Sequence, residues 1–176
     1  PFSLLDADDQ LEMCKKLLKK YSLSKQMSAY QLISAIGQHK SLARLDPGAA
    51  ATISRSSLTF VRELVQEYEL EKTTARAFDF DDLMTVCLGL FDNATFKTLF
   101  QQRVRHLLID EYQDTNHIQR ELLKSMACQE KQFVIDSLCA VGDEDQSIYS
   151  WRGATVENML TFIHDFAPVT NIKIEQ

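Results

Sequence analysis

The sequence predicts an α/β fold: a parallel sheet with flanking helices, joined to a mainly helical part. Two observations predict the layers. From Val104 onward, short apolar runs alternate with helical periods in the order strand, helix, strand, helix, strand. Before Arg76 the apolar residues recur at helical spacing instead. A boundary near Arg76 therefore separates a helical part, residues 1–76, from an α/β part, residues 77–176. With 176 residues and 45% hydrophobic content, the chain can bury one real core and a second small lobe.

Taken in order, Asp8 to Tyr21 is expected to be a helix, with Leu11, Cys14, Leu17, Leu18 and Tyr21 on one stripe behind acidic residues suited to a helix start. Lys15, Lys16, Lys19 and Lys20 form its solvated face. Ser28 to Ile36 reads as a second helix, with Ser28 as N-cap and Gly37 as its stop. Asp46-Pro47-Gly48 breaks the chain. A long helix is expected from Ser56 to Ala77, burying Leu58, Val61, Leu64, Val65 and Tyr68, and two more surround Leu83 to Phe91 and Phe96 to Phe100. Leu107, Leu108 and Ile109 form a continuous apolar run, the pattern of a strand covered on both faces. Asn116 to Ala127 returns to helix, with Ile118, Leu122 and Met126 four apart. Phe133 to Gly142 and Val169 to Ile174 are the further strand candidates, separated by a helix from Thr155 to Phe166.

Composition excludes several classes. No apolar run approaches the ~20 residues of a membrane span, and the N-terminus lacks the charged-then-apolar pattern of a signal peptide. The expectation is a cytoplasmic protein without a membrane partner. Cys14, Cys87, Cys128 and Cys139 are widely spaced with no C-x-x-C pair, which suits reduced thiols better than zinc or disulfides. A formal charge of −6 argues against a generally basic nucleic-acid coat, although a local groove can be positive on an acidic protein.

Two loops carry chemistry. His106-Leu107-Leu108-Ile109-Asp110-Glu111-Tyr112-Gln113-Asp114-Thr115-Asn116 passes from apolar to acidic with no turn residue between. In open α/β sheets ligands bind beyond the carboxyl ends of strands, where Asp110 and Glu111 fall. Asp110 there suits Mg²⁺, held through oxygen ligands and completed by substrate phosphates, and Glu111 could polarise a water as general base. The alternative is that both carboxylates cap the next helix or sit in solvent. The second loop, Val141-Gly142-Asp143-Glu144-Asp145-Gln146-Ser147-Ile148-Tyr149-Ser150-Trp151-Arg152-Gly153-Ala154, combines an amide, two aromatics and a guanidinium. Single-stranded nucleic acid uses such groups for stacking and phosphate contact. A core anchor at Trp151 with Arg152 paired to an acid is the alternative.

Together "LLIDEYQDTNHIQRELL" and "VGDEDQSIYSWRGATVENML" resemble motifs II and III of the UvrD/Rep/PcrA group of superfamily I DNA helicases. "FDFDDLM" at Phe78 to Met84 is similar to a motif that these helicases carry just upstream, and "IKIEQ" resembles the strand leading into their motif IV. "FSLLDADDQLEMCKKLL" and "LISAIGQHKSLARLDPG" look like the helical subdomain inserted into their first RecA-like domain. The resemblance implies that Asp110 binds Mg²⁺, that Glu111 activates the water attacking the γ-phosphate of ATP, and that Gln146 contacts that phosphate and links it to the DNA loop. It implies that Tyr149 and Trp151 stack on single-stranded DNA with Arg152 in support, in a motor moving 3′ to 5′ and unwinding duplex DNA. Gln113, Asp114, Asp79, Asp81 and Asp82 match the motifs without an assigned role.

No phosphate-cradling G-x-x-x-x-G-K-[ST] occurs in the 176 residues. The nearest imitation, Gly37-Gln38-His39-Lys40-Ser41, lacks the glycine before lysine and follows a helix. The expectation is a fragment of an ATP-dependent DNA helicase, whose missing remainder is a partner of this piece and which alone neither binds Mg-ATP well nor turns it over. A motor fragment of a helicase-nuclease and a non-catalytic DNA- or partner-binding module are the alternatives.

Overall fold

In the computed structural model, which describes residues 2–46, 59–130, 132–143 and 157–173, the chain divides into two units, Pro1–Cys87 and Leu88–Gln176. The first is built on helices whose starts are legible in the sequence. Helix α1 (Ala7–Lys20) begins where the Asp6 carboxylate accepts the N–H groups of Asp8 and Asp9, each at 2.9 Å, while Asp9 reaches back to the Asp6 N–H. Those bonds satisfy donors that a helix start leaves unpaired. Acids in its first turn and Lys19 and Lys20 in its last both complement the helix dipole. Ser28 and Gln31 close the same kind of box at α2 (Ala29–Leu45), and α3 (Thr59–Thr74) completes the core. Cys14, Leu17 and Leu18 of α1 pack with Leu32 and Ile36 of α2 and Leu64, Val65 and Tyr68 of α3. The lysine face of α1 is exposed, with Lys16 paired to Glu12 and Lys20 to Glu67.

Two helix ends differ from expectation. Helix α2 does not stop at Gly37 but continues to Leu45. The glycine serves a close approach instead of a termination: a Cβ there would lie 3.0 Å from Asp81 Oδ2. Helix α3 ends at Thr74, short of the expected Ala77, because Arg76 turns left-handed (φ 52°) and Ala77–Phe78 leave as strand β2. That strand pairs in parallel with β1 (Ser3–Leu4), Ser3 opposite Ala77 and Leu4 opposite Phe78. Two-residue strands show no periodicity, so the pair was not legible in advance. Helix α4 (Phe80–Leu90) starts three residues before the expected Leu83, because Asp79 and Asp82 cap it reciprocally at 2.8 and 2.9 Å. Pro47, Gly48 and the expected start of α3 at Ser56 to Leu58 lie outside the described residues.

The second unit contains α5 (Ala94–Arg103), β3 (His106–Ile109), a single 3-10 turn at Tyr112–Asp114, α6 (His117–Ala127), β4 (Cys128–Gln129), β5 (Gln132–Phe133), β6 (Ser137–Ala140) and α7 (Glu157–Phe166). Strands β3 and β6 are parallel, in register from His106 opposite Ser137 to Ile109 opposite Ala140. Ala127, Ile135 and Phe166 form the core, with Leu107, Leu138, Phe162 and Val169 packed against it. Gln101, buried on α5, donates to the carbonyls of Ser125 (3.1 Å) and Cys128 (3.2 Å), pairing acceptors at the end of α6.

Three strand expectations are corrected. Strand β3 is covered on one face only: Leu107 and Ile109 are half-buried, whereas Leu108 is 82% exposed. Its neighbour β6 repeats the pattern, with Leu138 half-buried and Cys139 exposed. The segment expected to be one strand from Phe133 to Gly142 is two. Its first residues pair antiparallel with β4, Cys128 opposite Phe133. The chain then bends at Val134–Asp136, where Asp136 pairs with Arg105, before Ser137 joins β3. Residues 169–173 of the expected third strand are irregular, with Ile172 79% exposed. An extended apolar segment becomes a strand only when a neighbour takes its N–H and C=O groups, and none does so among the described residues.

Candidate functional site

Beyond β3 the chain reaches the two carboxylates singled out by the sequence. The strand pair is prolonged by one bond on each side of the turn: the Val141 N–H donates to the Ile109 carbonyl at 2.8 Å, and the Tyr112 N–H to the Val141 carbonyl at 2.9 Å. The first residues of both loops thus start side by side at the carboxyl end of the parallel pair. Between those bonds Glu111 adopts a left-handed backbone (φ 53°, ψ 42°), which costs a non-glycine residue about 1–2 kcal/mol. Such strain persists only where surrounding bonds impose it, and it marks functional turns often enough to direct attention there. Asp110 and Glu111 are exposed, whereas Tyr112 and Gln113 behind them are buried.

Of the alternative, capping fails for both acids, while their exposure accords with its other half, carboxylates in solvent. Asn116 caps α6, accepting the Gln119 N–H at 2.9 Å while Gln119 accepts the Asn116 N–H. Glu111 precedes the 3-10 turn without a side-chain cap bond. Asp110 Oδ1 accepts the neighbouring Glu111 N–H at 3.0 Å, which leaves Oδ2 without a partner among the described residues. An exposed carboxylate oxygen at a strand end fits a hard cation such as Mg²⁺, which takes one or two protein carboxylates and fills its shell with water and phosphate. When bound, the ion would neutralise charge on the phosphates. Glu111 Oε2 accepts the Gln113 Nε2 at 2.6 Å, and Gln113 Oε1 accepts the Asp143 N–H at 3.0 Å. Asp114 has one buried carboxylate oxygen, Oδ1, with no hydrogen-bond partner among the described residues. Gln146, Tyr149, Trp151 and Arg152 all lie outside the described residues.

The first unit holds a polar cluster that the sequence only hinted at through "FDFDDLM". Asp79 is fully buried, and its Oδ2 pairs with Lys40, with Lys72 at 3.3 Å and with the Tyr68 hydroxyl at 2.9 Å. Asp82 binds Lys40 at 3.0 Å and Lys72 at 2.5 Å, and Glu69 binds them at 3.1 and 2.9 Å. Glu69, Asp79 and Asp82 are close enough together for a cation, but two ammonium groups already fill that role. Burial, the largest single influence, would raise Asp79 and lower Lys40; their mutual bond and charge, together with those of Asp82 and Lys72, outweigh it and hold the acid well below and the ammonium well above their ordinary values. Burial and then the Asp79 charge raise Asp81 instead. Lys40 and Lys72 carried no motif signal, since a lysine on an amphipathic helix ordinarily faces water.

Comparison with known proteins identifies the family. Residues 1–167 match the UvrD/REP helicase N-terminal domain family. Similar proteins include a probable DNA helicase II homolog of Rickettsia felis (37% identical), the ATP-dependent DNA helicase Rep of Salmonella typhimurium (36%) and the ATP-dependent DNA helicase PcrA of Staphylococcus epidermidis (34%). In each case 99% of this chain is covered, against 26%, 25% and 24% of the relative. The chain thus spans about a quarter of the length of these relatives. No helix among the described residues is long and apolar enough to cross a membrane. By the match over nearly its whole length, the chain belongs to the UvrD/REP helicase family, within its N-terminal domain.

Proposed function

We propose that these residues are part of an ATP-dependent DNA helicase in which Mg-ATP hydrolysis drives 3′ to 5′ movement along single-stranded DNA and separation of the duplex. Residues 1–76 serve as the inserted helical subdomain and residues 77–176 as part of the first RecA-like motor domain. The observation that carries the reading is the turn after β3, where two exposed carboxylates at a parallel strand end are released from helix capping by Asn116. Asp110 holds Mg²⁺ against the phosphates of ATP. Glu111 takes a proton from the water whose oxygen attacks the γ-phosphorus, and the bond to the ADP oxygen breaks. Gln146 contacts the γ-phosphate, Tyr149 and Trp151 stack on bases, and Arg152 supports that contact. The four free cysteines accord with a reducing, cytoplasmic setting.

The test uses the full-length protein. Glu111→Gln should bind nucleotide as the parent does yet hydrolyse it at least ~10²-fold more slowly with single-stranded DNA present, the scale of a lost positioned base. Asp110→Asn should in addition weaken Mg²⁺-dependent nucleotide binding. Equal and mild effects from the two changes would remove the catalytic assignment.

A further inference from the structure

We propose that Gln113 is a positioning residue: it fixes the Glu111 carboxylate relative to the backbone from which the second loop begins. The inference rests on reading Glu111 as the base. Gln113 is 1% exposed, so its amide cannot exchange its partners for water. Both of its ends are engaged, Nε2 donating to Glu111 Oε2 at 2.6 Å and Oε1 accepting the Asp143 N–H at 3.0 Å. The partners dictate one orientation. A flipped amide would set its oxygen against a carboxylate and its N–H₂ against an N–H, two repulsive contacts in place of two bonds.

The consequence falls on Glu111, an exposed residue on a left-handed turn whose side chain has no other hydrogen-bond partner among the described residues. A single bond to Oε2 holds the carboxylate while Oε1 has no partner among the described residues and could meet a water. The turn makes this reach possible, because Tyr112–Asp114 coil as a 3-10 turn that brings Gln113 back over the residue two before it. At its other end the amide grips Asp143, three residues before Gln146 in sequence. A shift of that backbone is therefore delivered through one rigid amide to the base. The link gives the second loop a mechanical hold on the reacting group that neither motif has alone.

Full-length protein carrying Gln113→Met, Gln113→Glu, Glu111→Gln, or Glu111→Gln with Gln113→Met separates the possibilities. The readouts are DNA-stimulated turnover, affinity for a non-hydrolysable ATP analogue, and melting temperature. Gln113→Met keeps the shape and removes both bonds. Gln113→Glu keeps the acceptor for Asp143 and replaces the donor to Glu111 with a carboxylate. Each should lower kcat about ten- to hundredfold, the scale of a misplaced catalytic group, with analogue affinity unchanged, while melting temperature falls because Met leaves the Asp143 N–H unpaired and Glu buries a second carboxyl. In the Glu111→Gln background, Gln113→Met should cause no further loss, because the amide acts through Glu111. Parental kcat in Gln113→Met would overturn the proposal, as would a second, multiplicative loss in the double variant. If Gln113→Met fails to fold, the Glu variant, equal in size, decides when assayed at a pH high enough that it and Glu111 no longer share a proton. Should Glu111→Gln itself turn over ATP like the parent, the base reading falls and this inference with it. If Glu111→Gln is inactive while both Gln113 variants match the parent, the positioning role alone is refuted.

Discussion

Tyr112 stands between the two acids and the glutamine that orients one of them, yet it turns inward. Its ring meets Phe162 edge-on at 5.0 Å, and its hydroxyl is buried with no hydrogen-bond partner among the described residues. Burial, and after it the charge of Asp165, pushes the phenol up to about 12, so it stays protonated at any physiological pH. A buried hydroxyl that pairs with nothing costs stability relative to a carbon of the same shape. Tyr112→Phe is accordingly expected to unfold in urea at the same or a higher midpoint, a gain of up to ~1 kcal/mol. A loss larger than that would show that the hydroxyl is paired after all. The same few residues show what a sequence leaves open at this scale. Asp110, Glu111, Tyr112 and Gln113 are adjacent and polar or amphipathic, but the left-handed backbone of Glu111 sends two outward and two inward. Nothing in their identities announces that turn, since left-handed backbone is ordinarily a glycine or asparagine property.

Helices α2, α3 and α4 meet around Asp79, and their packing depends on charges as much as on methyl groups. Lys40 comes from α2, Lys72 and Glu69 from α3, and Asp82 from α4, so the cluster spans three elements. Removing one partner would leave buried charges uncompensated, which costs about 3–5 kcal/mol. Asp79→Ala should lower unfolding stability by that order, and a loss under about 1 kcal/mol would place the network at the solvated limit. The cluster also predicts acid lability. Asp79 is held at about 2 in the folded chain, below the roughly 3.9 of an unfolded aspartate. The stability it contributes is therefore complete above the unfolded value and is lost as pH falls through the window down to about 2. Melting temperature against pH should fall less steeply across that window in Asp79→Asn than in the parent; parallel slopes would exclude Asp79 as the source. The helices themselves were largely legible from their apolar period and from the local Ser28 cap, whereas the Asn116–Gln119 box stands out only in the structure. Gly37 was misread for a complementary reason. A glycine inside a helical pattern signals either an end or a close neighbour, and only the position of Asp81 distinguishes the two.

At the scale of the whole chain, the acidic turn lies in a sequence without the glycine-rich loop whose amides cradle phosphates. Phosphoryl transfer depends on positioning and charge neutralisation, so carboxylates alone leave most of the catalytic power unused. The 176-residue chain is expected to bind Mg-ATP poorly and to release no more phosphate with single-stranded DNA than its Glu111→Gln variant does. Turnover well above that control would refute the fragment reading. What the sequence determined unaided is whatever rests on short-range chemistry: helices with their caps, the strand at His106–Ile109, the acids at its end, and the motif spacing that places the chain in its family. What only the tertiary structure decided is which apolar and polar groups find partners. Leu108 is as apolar as Leu107 yet lies open, Ile172 joins no sheet among the described residues, and Lys40 and Lys72 are buried against acids contributed by other elements. Burial and pairing are relations between segments brought together by the fold, and residue type sets their energies without choosing the neighbour.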